Sequence, residues 1–144
     1  MPTHQPLHAL AYISVPRRPF SIAELDELVV RASARNALLQ VTGVLLHDGQ
    51  TFFQYLEGPR DGVDEVYARV QRATRHRIQA EVFREPVASR YFGHWHMAGR
   101  KAEPGTILSL GSAPWQRAQV QLPMPDSQPP GLRALLAFWE HTAD

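Results

Sequence analysis

Residues 41–58, VTGVLLHDGQTFFQYLEG, constrain the fold most, because they have the pattern of two antiparallel strands joined by a tight turn. The dipeptide Asp48-Gly49 between alternating apolar runs is typical of a two-residue turn with positive φ at both positions. This turn centre sets a register for one face of the hairpin, pairing His47 with Gln50, Leu45 with Phe52, Gly43 with Gln54 and Val41 with Leu56.

One amide interrupts this apolar face. Gln54 needs hydrogen-bond partners if it is buried, and the predicted register places Gly43, which has no side chain, opposite it. One interpretation is a core glutamine bonded to nearby backbone, with Gly43 as a strand irregularity. The other is a flat polar ligand that lies over the sheet and binds Gln54.

The second face of the hairpin is also apolar, so it needs a cover of its own. It carries Val44, Leu46, Phe53 and Tyr55. Residues 100–130 hold 6 of the 12 prolines and are predicted to be irregular, with one short turn at 113–120. Residues 131–141 form a short amphipathic helix that we expect to dock on this face through Leu132, Leu135, Leu136 and Trp139.

The first helix is predicted from Ser21, which forms a capping box with Glu24. Its buried stripe has helical spacing and consists of Ile22, Leu25, Val29, Ala32 and Asn36. Asn36 at the end of this stripe has two interpretations, a helix C-cap or an amide directed at the same space as Gln54. Arg35 beside it is expected to be solvated.

The second helix follows the hairpin, with Asp61 as its predicted cap and an apolar stripe of Val63, Val66, Tyr67 and Val70. The cations of Arg75-His76-Arg77 are expected to end this helix, and one arginine could instead bind a ligand carbonyl. Strands are predicted at 8–14, where Tyr12 is either a packing residue or a hydroxyl in reach of Gln54, and at 78–86.

Composition excludes several classes of function. The 144 residues carry a net charge of +1, which gives no argument for a basic surface that binds nucleic acid. They include no cysteine, which excludes disulfides, thiolate catalysis and cysteine-based metal sites. No apolar run has the length of a membrane span, and the N-terminus lacks a signal peptide, so we expect a cytoplasmic protein. His94 and His96 would share a strand face, but no third ligand accompanies them and no metal site is expected.

The order strand, helix, strand, strand, helix, strand and short edge strand predicts an α+β fold of the ferredoxin-like class. The mixed βαββαβ(β) sheet has two helices on one face and the C-terminal helical extension on the other. We predict a domain over residues 7–99 and an extension over 100–144.

Several short motifs together resemble the BLUF domain, a blue-light sensor that uses FAD. They are Leu10-Ala-Tyr12-Ile-Ser14, Arg35-Asn36, Val41-Thr-Gly43, Phe53-Gln54-x-Leu-Glu57-Gly58, Arg75-His76 and Arg90-Tyr-Phe-x-x-Trp95-x-Met97. The resemblance runs from about residue 8 to residue 98, in the order and spacing of the family.

The resemblance implies that Tyr12 and Gln54 are the photoactive pair, and that light drives electron and proton transfer from Tyr12 to the flavin while the Gln54 amide rotates or tautomerises. The implied cofactor-binding residues are Tyr12, Asn36, Gln54, Arg75, Arg35 and His76. Asn36 would bond the flavin ring and Arg75 would lie near its pyrimidine side. Trp95 or Met97 would lie near Gln54 and change place with signalling state.

Two positions depart from the family pattern. Ala73 stands where members often have an acid, and Arg35 where others have Asn or His, so FMN or riboflavin are alternatives to FAD. The expected output is a change in binding to a downstream protein partner by a homo-oligomer without enzyme activity. The alternative is an acylphosphatase-like hydrolase using Arg17-Arg18, whose loop lacks the glycines of a phosphate cradle.

Overall fold

The computed structural model describes residues 6–113, 115 and 129–141. In this part of the chain the elements are β1 Leu7–Pro16, α1 Ile22–Leu38, β2 Thr42–His47, β3 Phe52–Pro59, α2 Arg60–Arg72, β4 His76–Val87, β5 Ala98–Lys101, α3 Pro104–Ser112 and α4 Pro130–His141.

The strands form one sheet in the order β4-β1-β3-β2-β5. Neighbouring strands are antiparallel except β2 and β5, which are parallel. Residues from α1 and α2 pack on one face, against Leu10, Leu45 and Leu56. Those from α3 and α4 pack on the other. The predicted ferredoxin-like mixed sheet with helical layers on both faces is confirmed.

The turn of the β2–β3 hairpin lies one residue later than predicted. Leu45 pairs with Gln54 and Gly43 with Leu56, so the central residues are Gly49 and Gln50. Only Gly49 takes positive φ, at 93°, and the Asp48 carboxylate accepts hydrogen bonds from the amides of Gln50 and Thr51. A glycine at the first central position is the requirement of a type II′ turn. Because the shift changes each pairing by two residues, both faces keep the predicted side chains.

Gly43 is required by a close backbone approach. A Cβ at this position would overlap the carbonyl oxygen of Tyr55 on the neighbouring strand. Gly43 neither faces Gln54 nor lines the cavity described below. The predicted register that placed Gly43 opposite Gln54 was therefore wrong.

The predicted capping box of α1 is confirmed, because Ser21 Oγ accepts from the Glu24 amide and the Glu24 carboxylate accepts from the Ser21 amide. Ile22 was wrongly placed in the buried stripe, because this first residue of the helix is 80% exposed. Asn36 is not the C-cap. The helix runs past it to Leu38, and the residue with left-handed φ is Gln40.

Helix α2 begins and ends earlier than predicted. Pro59 is its N-cap, so Asp61 lies in the first turn and does not cap it. Ala73 takes extended backbone after the last helical residue, Arg72. His76 therefore begins β4, and the prediction that Arg75-His76-Arg77 ends the helix was wrong.

The predicted tail helix is confirmed. In α4, Leu132, Leu135 and Trp139 are buried in one cluster with Phe53 and Tyr55 of the second sheet face. The irregular prediction for 100–130 missed α3, in which Ile107 and Leu110 are buried, and the end of β5. The turn expected at 113–120 falls mostly outside the described residues.

The edge strand contains residues 98–101, so His94 and His96 do not lie on a strand and the boundary predicted after residue 99 falls inside β5. The described residues contain no group of three side chains arranged to hold a metal ion. None of their helices is long and apolar enough to cross a membrane.

Candidate functional site

A cavity of about 320 Å³ opens between α1 and α2 above the sheet. Its walls are largely apolar, and polar side chains from both helices and the sheet project into it. The lining residues are Ser14, Glu27, Leu28, Val29, Arg31, Ala32, Arg35, Asn36, Leu45, Phe52, Gln54, Val66, Arg69, Val70, Ala73, Arg75, His76 and Met97.

Three side chains form a hydrogen-bonded chain at the floor of this cavity. Tyr12 Oη donates to Gln54 Oε1, and Gln54 Nε2 donates to Met97 Sδ over 3.7 Å. Tyr12 lies below the cavity and is fully buried, whereas Gln54 and Met97 line it. The described contacts of the Gln54 amide are therefore with side chains, so the interpretation of a core glutamine bonded to backbone was wrong.

Burial keeps the hydroxyl of Tyr12 protonated. Removal of the phenol from water raises the pKa of Tyr12 well above its usual value, and the nearby Tyr67 adds to the effect. The two rings lie 5.4 Å apart. Tyr12 is therefore a neutral hydrogen-bond donor to Gln54 throughout the physiological pH range.

Asn36 connects the cavity to the loop that precedes β5. Its side chain is 1% exposed and lines the cavity, and its Nδ2 donates to the carbonyl oxygen of His96 over 2.6 Å. The next residue, Met97, is 6% exposed and lies beside Gln54. Trp95 is 37% exposed, and its ring lies 5.6 Å from that of Trp139 in α4. Met97 is thus the neighbour of Gln54 in this structure.

His76 occupies the end of the cavity near β1. Its Nδ1 lies 3.3 Å from Ser14 Oγ, and its ring contacts that of Phe52. Burial lowers the pKa of His76, and the positive charge of Arg75 lowers it further. The imidazole is therefore neutral at pH 7 and can both donate and accept a hydrogen bond.

The rim of the cavity is positively charged. Among the described residues, four arginines line it, Arg31, Arg35, Arg69 and Arg75, against one acid, Glu27. Arg31 pairs with Glu27 over 2.6 Å, and Arg69 pairs with Glu65 over 3.7 Å. Such a rim suits an anionic group on a ligand whose body lies in the cavity.

The structure brings together six of the eight residues singled out in the sequence, since Arg35, Asn36, Gln54, Arg75, His76 and Met97 all line the cavity. Tyr12 reaches it through Gln54, and Trp95 lies outside it. Sequence reasoning missed Ser14, which lies on the same face of β1 as Tyr12, two residues away. It also missed Arg31, one helical turn before Arg35.

Arg17, proposed for the alternative hydrolase, uses its amide to donate to the carbonyl oxygen of Arg75 over 2.8 Å. Nothing in the geometry supports the acylphosphatase-like alternative.

Residues 7–98 match the family model described as BLUF, sensors of blue-light using FAD. The photoactivated adenylate cyclase subunit beta of Euglena gracilis is 37% identical over 98 residues, which are 67% of this chain and 11% of that protein. The blue light- and temperature-regulated antirepressor BluF of Escherichia coli K12 is 36% identical over 87 residues, 60% of this chain and 22% of that protein. This chain therefore spans only a small part of the length of these relatives.

Among the solved structures similar to this chain, two examples match most of its length. The dark-state structure of BlrB, a BLUF protein, aligns with a TM-score of 0.69 and 26% identity over 93% of this chain and 98% of that one. The structure titled BlrP1 BLUF aligns with a TM-score of 0.62 and 32% identity over 92% of this chain and 89% of that one. With the family match covering more than half of its length, this chain belongs to the BLUF family of flavin-based blue-light sensors.

Proposed function

We propose that the cavity between α1 and α2 binds FAD and that Tyr12 and Gln54 convert blue-light absorption into a movement of the loop before β5. The observation that carries the proposal is the chain of contacts from Tyr12 through Gln54 to Met97 at the cavity floor. These contacts join the phenol of Tyr12, the Gln54 amide, whose two ends can exchange places, and the flexible thioether side chain of Met97.

The residues of the cavity fit a flavin. A volume of about 320 Å³ lies within the range of small-molecule sites, roughly 300–1,000 Å³. Apolar side chains such as Val29, Leu45 and Val66 would contact the faces of a flat ring, while Asn36 and Gln54 offer amides to its polar edge. Arg35 and Arg75 at the rim favour a flavin with phosphate, FAD or FMN, over riboflavin.

A bound flavin would supply the absorption of blue light and an excited state that accepts an electron. Tyr12 would be the donor, because an oxidised phenol readily gives up its proton and Gln54 Oε1 already accepts from Tyr12 Oη. Burial holds that proton on Tyr12 in the dark. The proton would thus move along an existing hydrogen bond.

Once the electron and the proton have returned to Tyr12, a reversed Gln54 amide would be the stored change. With Nε2 towards Tyr12, the amide presents Oε1 to Met97, whose thioether has no proton to donate. Met97 loses the contact that holds it beside Gln54. The bias is worth about one hydrogen bond, ~1 kcal/mol net, or about a fivefold shift in population.

The output path would run through the C-terminal helix. Met97 and Trp95 belong to one loop, and Trp95 contacts Trp139 of α4. A shift of this loop changes how α4 packs, and α4 would present the change to a downstream protein. Association with further copies of the chain, a cytoplasmic location and the lack of enzyme activity in the whole chain are parts of the same proposal.

The test begins with the purified full chain. We expect a yellow protein that releases FAD on denaturation, identified by chromatography, and whose absorption band shifts reversibly to the red under blue light. A chain that takes up none of FAD, FMN and riboflavin would refute the proposal. A loaded chain without a light-induced shift would refute the roles of Tyr12 and Gln54.

A further inference from the structure

A fully buried carboxylate lies on the sheet face away from the cavity. Glu57 is 0% exposed on β3, three residues after Gln54. The amide of Tyr91 donates to its two oxygens over 2.7 and 2.6 Å, and the amide of Phe92 lies 3.2 and 3.4 Å from the same oxygens. A buried carboxylate is costly unless it is hydrogen-bonded, so these amides are its main compensation.

Arg90 completes the arrangement from the same loop. Its guanidinium donates to Thr42 Oγ1 over 2.9 Å, to the Glu57 carbonyl oxygen over 3.2 Å and to the Gln40 carbonyl oxygen over 2.7 Å. Thr42 is the β2 partner of Glu57 in the sheet. We call Glu57, Arg90 and the amides of Tyr91 and Phe92 the Glu57 clamp. It fixes the start of loop 90–97 to β2 and β3.

The other end of loop 90–97 reaches the photoactive pair. The Trp95 carbonyl oxygen accepts from the Gly43 amide over 3.0 Å, and Met97 lies against Gln54. Between them and the clamp, the Phe92 ring packs 5.4 Å from Tyr55 and 5.9 Å from Trp139. Because the loop is short, the position of its first residues limits where its last residues can lie.

We propose that Glu57 is a positioning residue for the light response, which holds Tyr91 and Phe92 and thereby sets Met97 against Gln54 and Trp95 against Trp139. The part that concerns light rests on the proposed function. The placement of Met97 by Glu57 rests on contacts within the chain and does not depend on the proposed function.

Protonation of Glu57 weakens the clamp. Burial raises the pKa of Glu57 to about 7, against the opposing effect of the Tyr91 and Phe92 amides and of Arg90. Among the described residues, the titratable groups that interact with it are the Arg90 guanidinium on the loop and the Tyr55 phenol on its own strand, while β1 and β2 place Ala9 and Thr42 opposite it. A protonated carboxyl carries a proton on one oxygen and accepts hydrogen bonds more weakly than a carboxylate does. Loop 90–97 should therefore loosen as the pH falls through this range.

The experiment follows Met97 directly in the full chain, with and without flavin. The chain has three methionines, so methyl-¹³C labelling gives a resolvable spectrum, assigned with Met97→Leu. Between about pH 5.5 and 8.5 we expect the Met97 methyl resonance and the Glu57 carboxyl carbon to move in one coincident transition. Glu57→Gln, which keeps the shape and cannot titrate, should abolish the Met97 transition.

Histidines near the loop are the competing source of a transition. His94 and His96 lie in it, and the His96 ring is 3.1 Å from the Val41 carbonyl oxygen, while His76 lines the same cavity as Met97. The proposal is overturned if the Met97 transition persists in Glu57→Gln. It is also overturned if the single substitution His96→Asn abolishes the transition. Glu81→Gln on β4 serves as the matched control and should leave the transition unchanged.

If Glu57→Gln does not fold, the wild-type spectra decide, since a Glu57 carboxyl that titrates without Met97 also overturns the proposal. In the flavin-loaded protein, the rate of dark recovery should change about fivefold across the transition, the equivalent of one hydrogen bond, and stay constant in Glu57→Gln. A missing red shift together with an intact Met97 transition refutes the proposed function and leaves the role of Glu57 supported.

Discussion

Tyr12 and Gln54 are direct cross-strand partners in the antiparallel β1–β3 pair, and the hydroxyl of the first donates to the side-chain oxygen of the second. Their side chains meet because opposed residues in antiparallel strands share a face of the sheet. The sheet register therefore holds the phenol against the amide.

Substitution of Tyr12 by phenylalanine tests the role of this hydroxyl. Tyr12→Phe removes the electron and proton donor and keeps the ring packed, so we expect flavin to bind and the light-induced red shift to be lost. Stability should fall by about 1 kcal/mol, the net value of one hydrogen bond. Absorption spectra before and after blue illumination measure the first effect, and urea unfolding measures the second.

Tyr67→Phe is the matched control. Tyr67 is also buried and lies 5.4 Å from the Tyr12 ring, but it is not bonded to Gln54. We expect its variant to keep the red shift. A normal shift in Tyr12→Phe, or its loss in both variants, would contradict the assignment of Tyr12 as the donor.

Asn36→Ala separates two contributions of one amide. The variant removes the partly buried bond of 2.6 Å to the His96 carbonyl, so we expect a loss of about 1–3 kcal/mol in the free energy of unfolding of the flavin-free chain. If Asn36 also bonds the flavin ring, occupancy after purification falls as well. Unchanged stability without flavin would mean that the His96 contact is not formed in solution, and full occupancy would remove Asn36 from the binding residues.

The elements with strong local signals could be predicted from the sequence. Alternation of apolar residues gave both faces of the β2–β3 hairpin, and the Ser21–Glu24 box gave the start of α1. The side chains were assigned to the correct faces although the predicted turn centre was wrong. The error shifted each cross-strand pairing by two residues, and side chains two residues apart in a strand lie on the same face.

The errors come from interactions that no local pattern encodes. The partner of the Asn36 side chain is 60 residues away, so the spacing of α1 could show that Asn36 is buried but not what it binds. Helix α3 has a weak stripe in a segment rich in proline, and one of those prolines, Pro104, occupies its first turn, where proline is tolerated. Composition alone therefore predicted loop where tertiary packing of Ile107 and Leu110 supports a helix.

The charged rim leads to a prediction about flavin choice. Arg35 and Arg75 line the cavity, and an arginine that contacts a phosphate contributes about 1.5–3 kcal/mol. We expect Arg35→Gln and Arg75→Gln each to weaken FAD and FMN binding by about tenfold or more, with little effect on riboflavin, as measured by titration calorimetry. Added salt should reduce the difference between wild type and variant.

Arg77→Gln provides the control for net charge, because Arg77 lies outside the cavity lining. It should bind all three flavins as the wild type does. Equal weakening of riboflavin and FAD in Arg35→Gln or Arg75→Gln would assign those arginines to the ring or to the fold and not to a phosphate.

His76 gives a pH dependence whose sign follows from its surroundings. Burial and Arg75 lower its pKa in the folded chain, so the unfolded chain takes up the proton first as the pH falls below about 6.5. Stability should therefore decrease with acidification through this range. His76→Gln should flatten that decrease, measured as the change in urea midpoint between about pH 7.5 and 5.5.

The comparison with wild type isolates His76 from two other groups. Burial raises the pKa of Glu57, so the contribution of Glu57 to stability grows as the pH falls from about 7. Burial lowers the pKa of His47. Both groups are present in both proteins, so their effects cancel in the difference. Equal slopes for wild type and His76→Gln would show that the His76 pKa is not depressed in the folded chain.

Docking of the tail on the sheet depends on Gly131. A Cβ at this position would overlap the indole ring of Trp115, which is 3% exposed and fixed by a 2.8 Å bond from its Nε1 to the Leu110 carbonyl. The ring also stacks on Phe53 and Tyr55, so it cannot move without losing the sheet face. We expect Gly131→Ala to cost about 1–3 kcal/mol of unfolding free energy through overpacking. Urea unfolding with an unchanged m-value would measure it.

Gly105→Ala is the matched control in the neighbouring helix. No atom lies within 4 Å of a Cβ at Gly105, so the variant should be neutral or more stable by up to about 1 kcal/mol from helix propensity. Because the cavity lies on the other face of the sheet, Gly131→Ala should keep flavin binding and the red shift while changing the rate of dark recovery. A Gly131→Ala chain as stable as Gly105→Ala would mean that the Trp115 ring does not lie against Gly131 in solution.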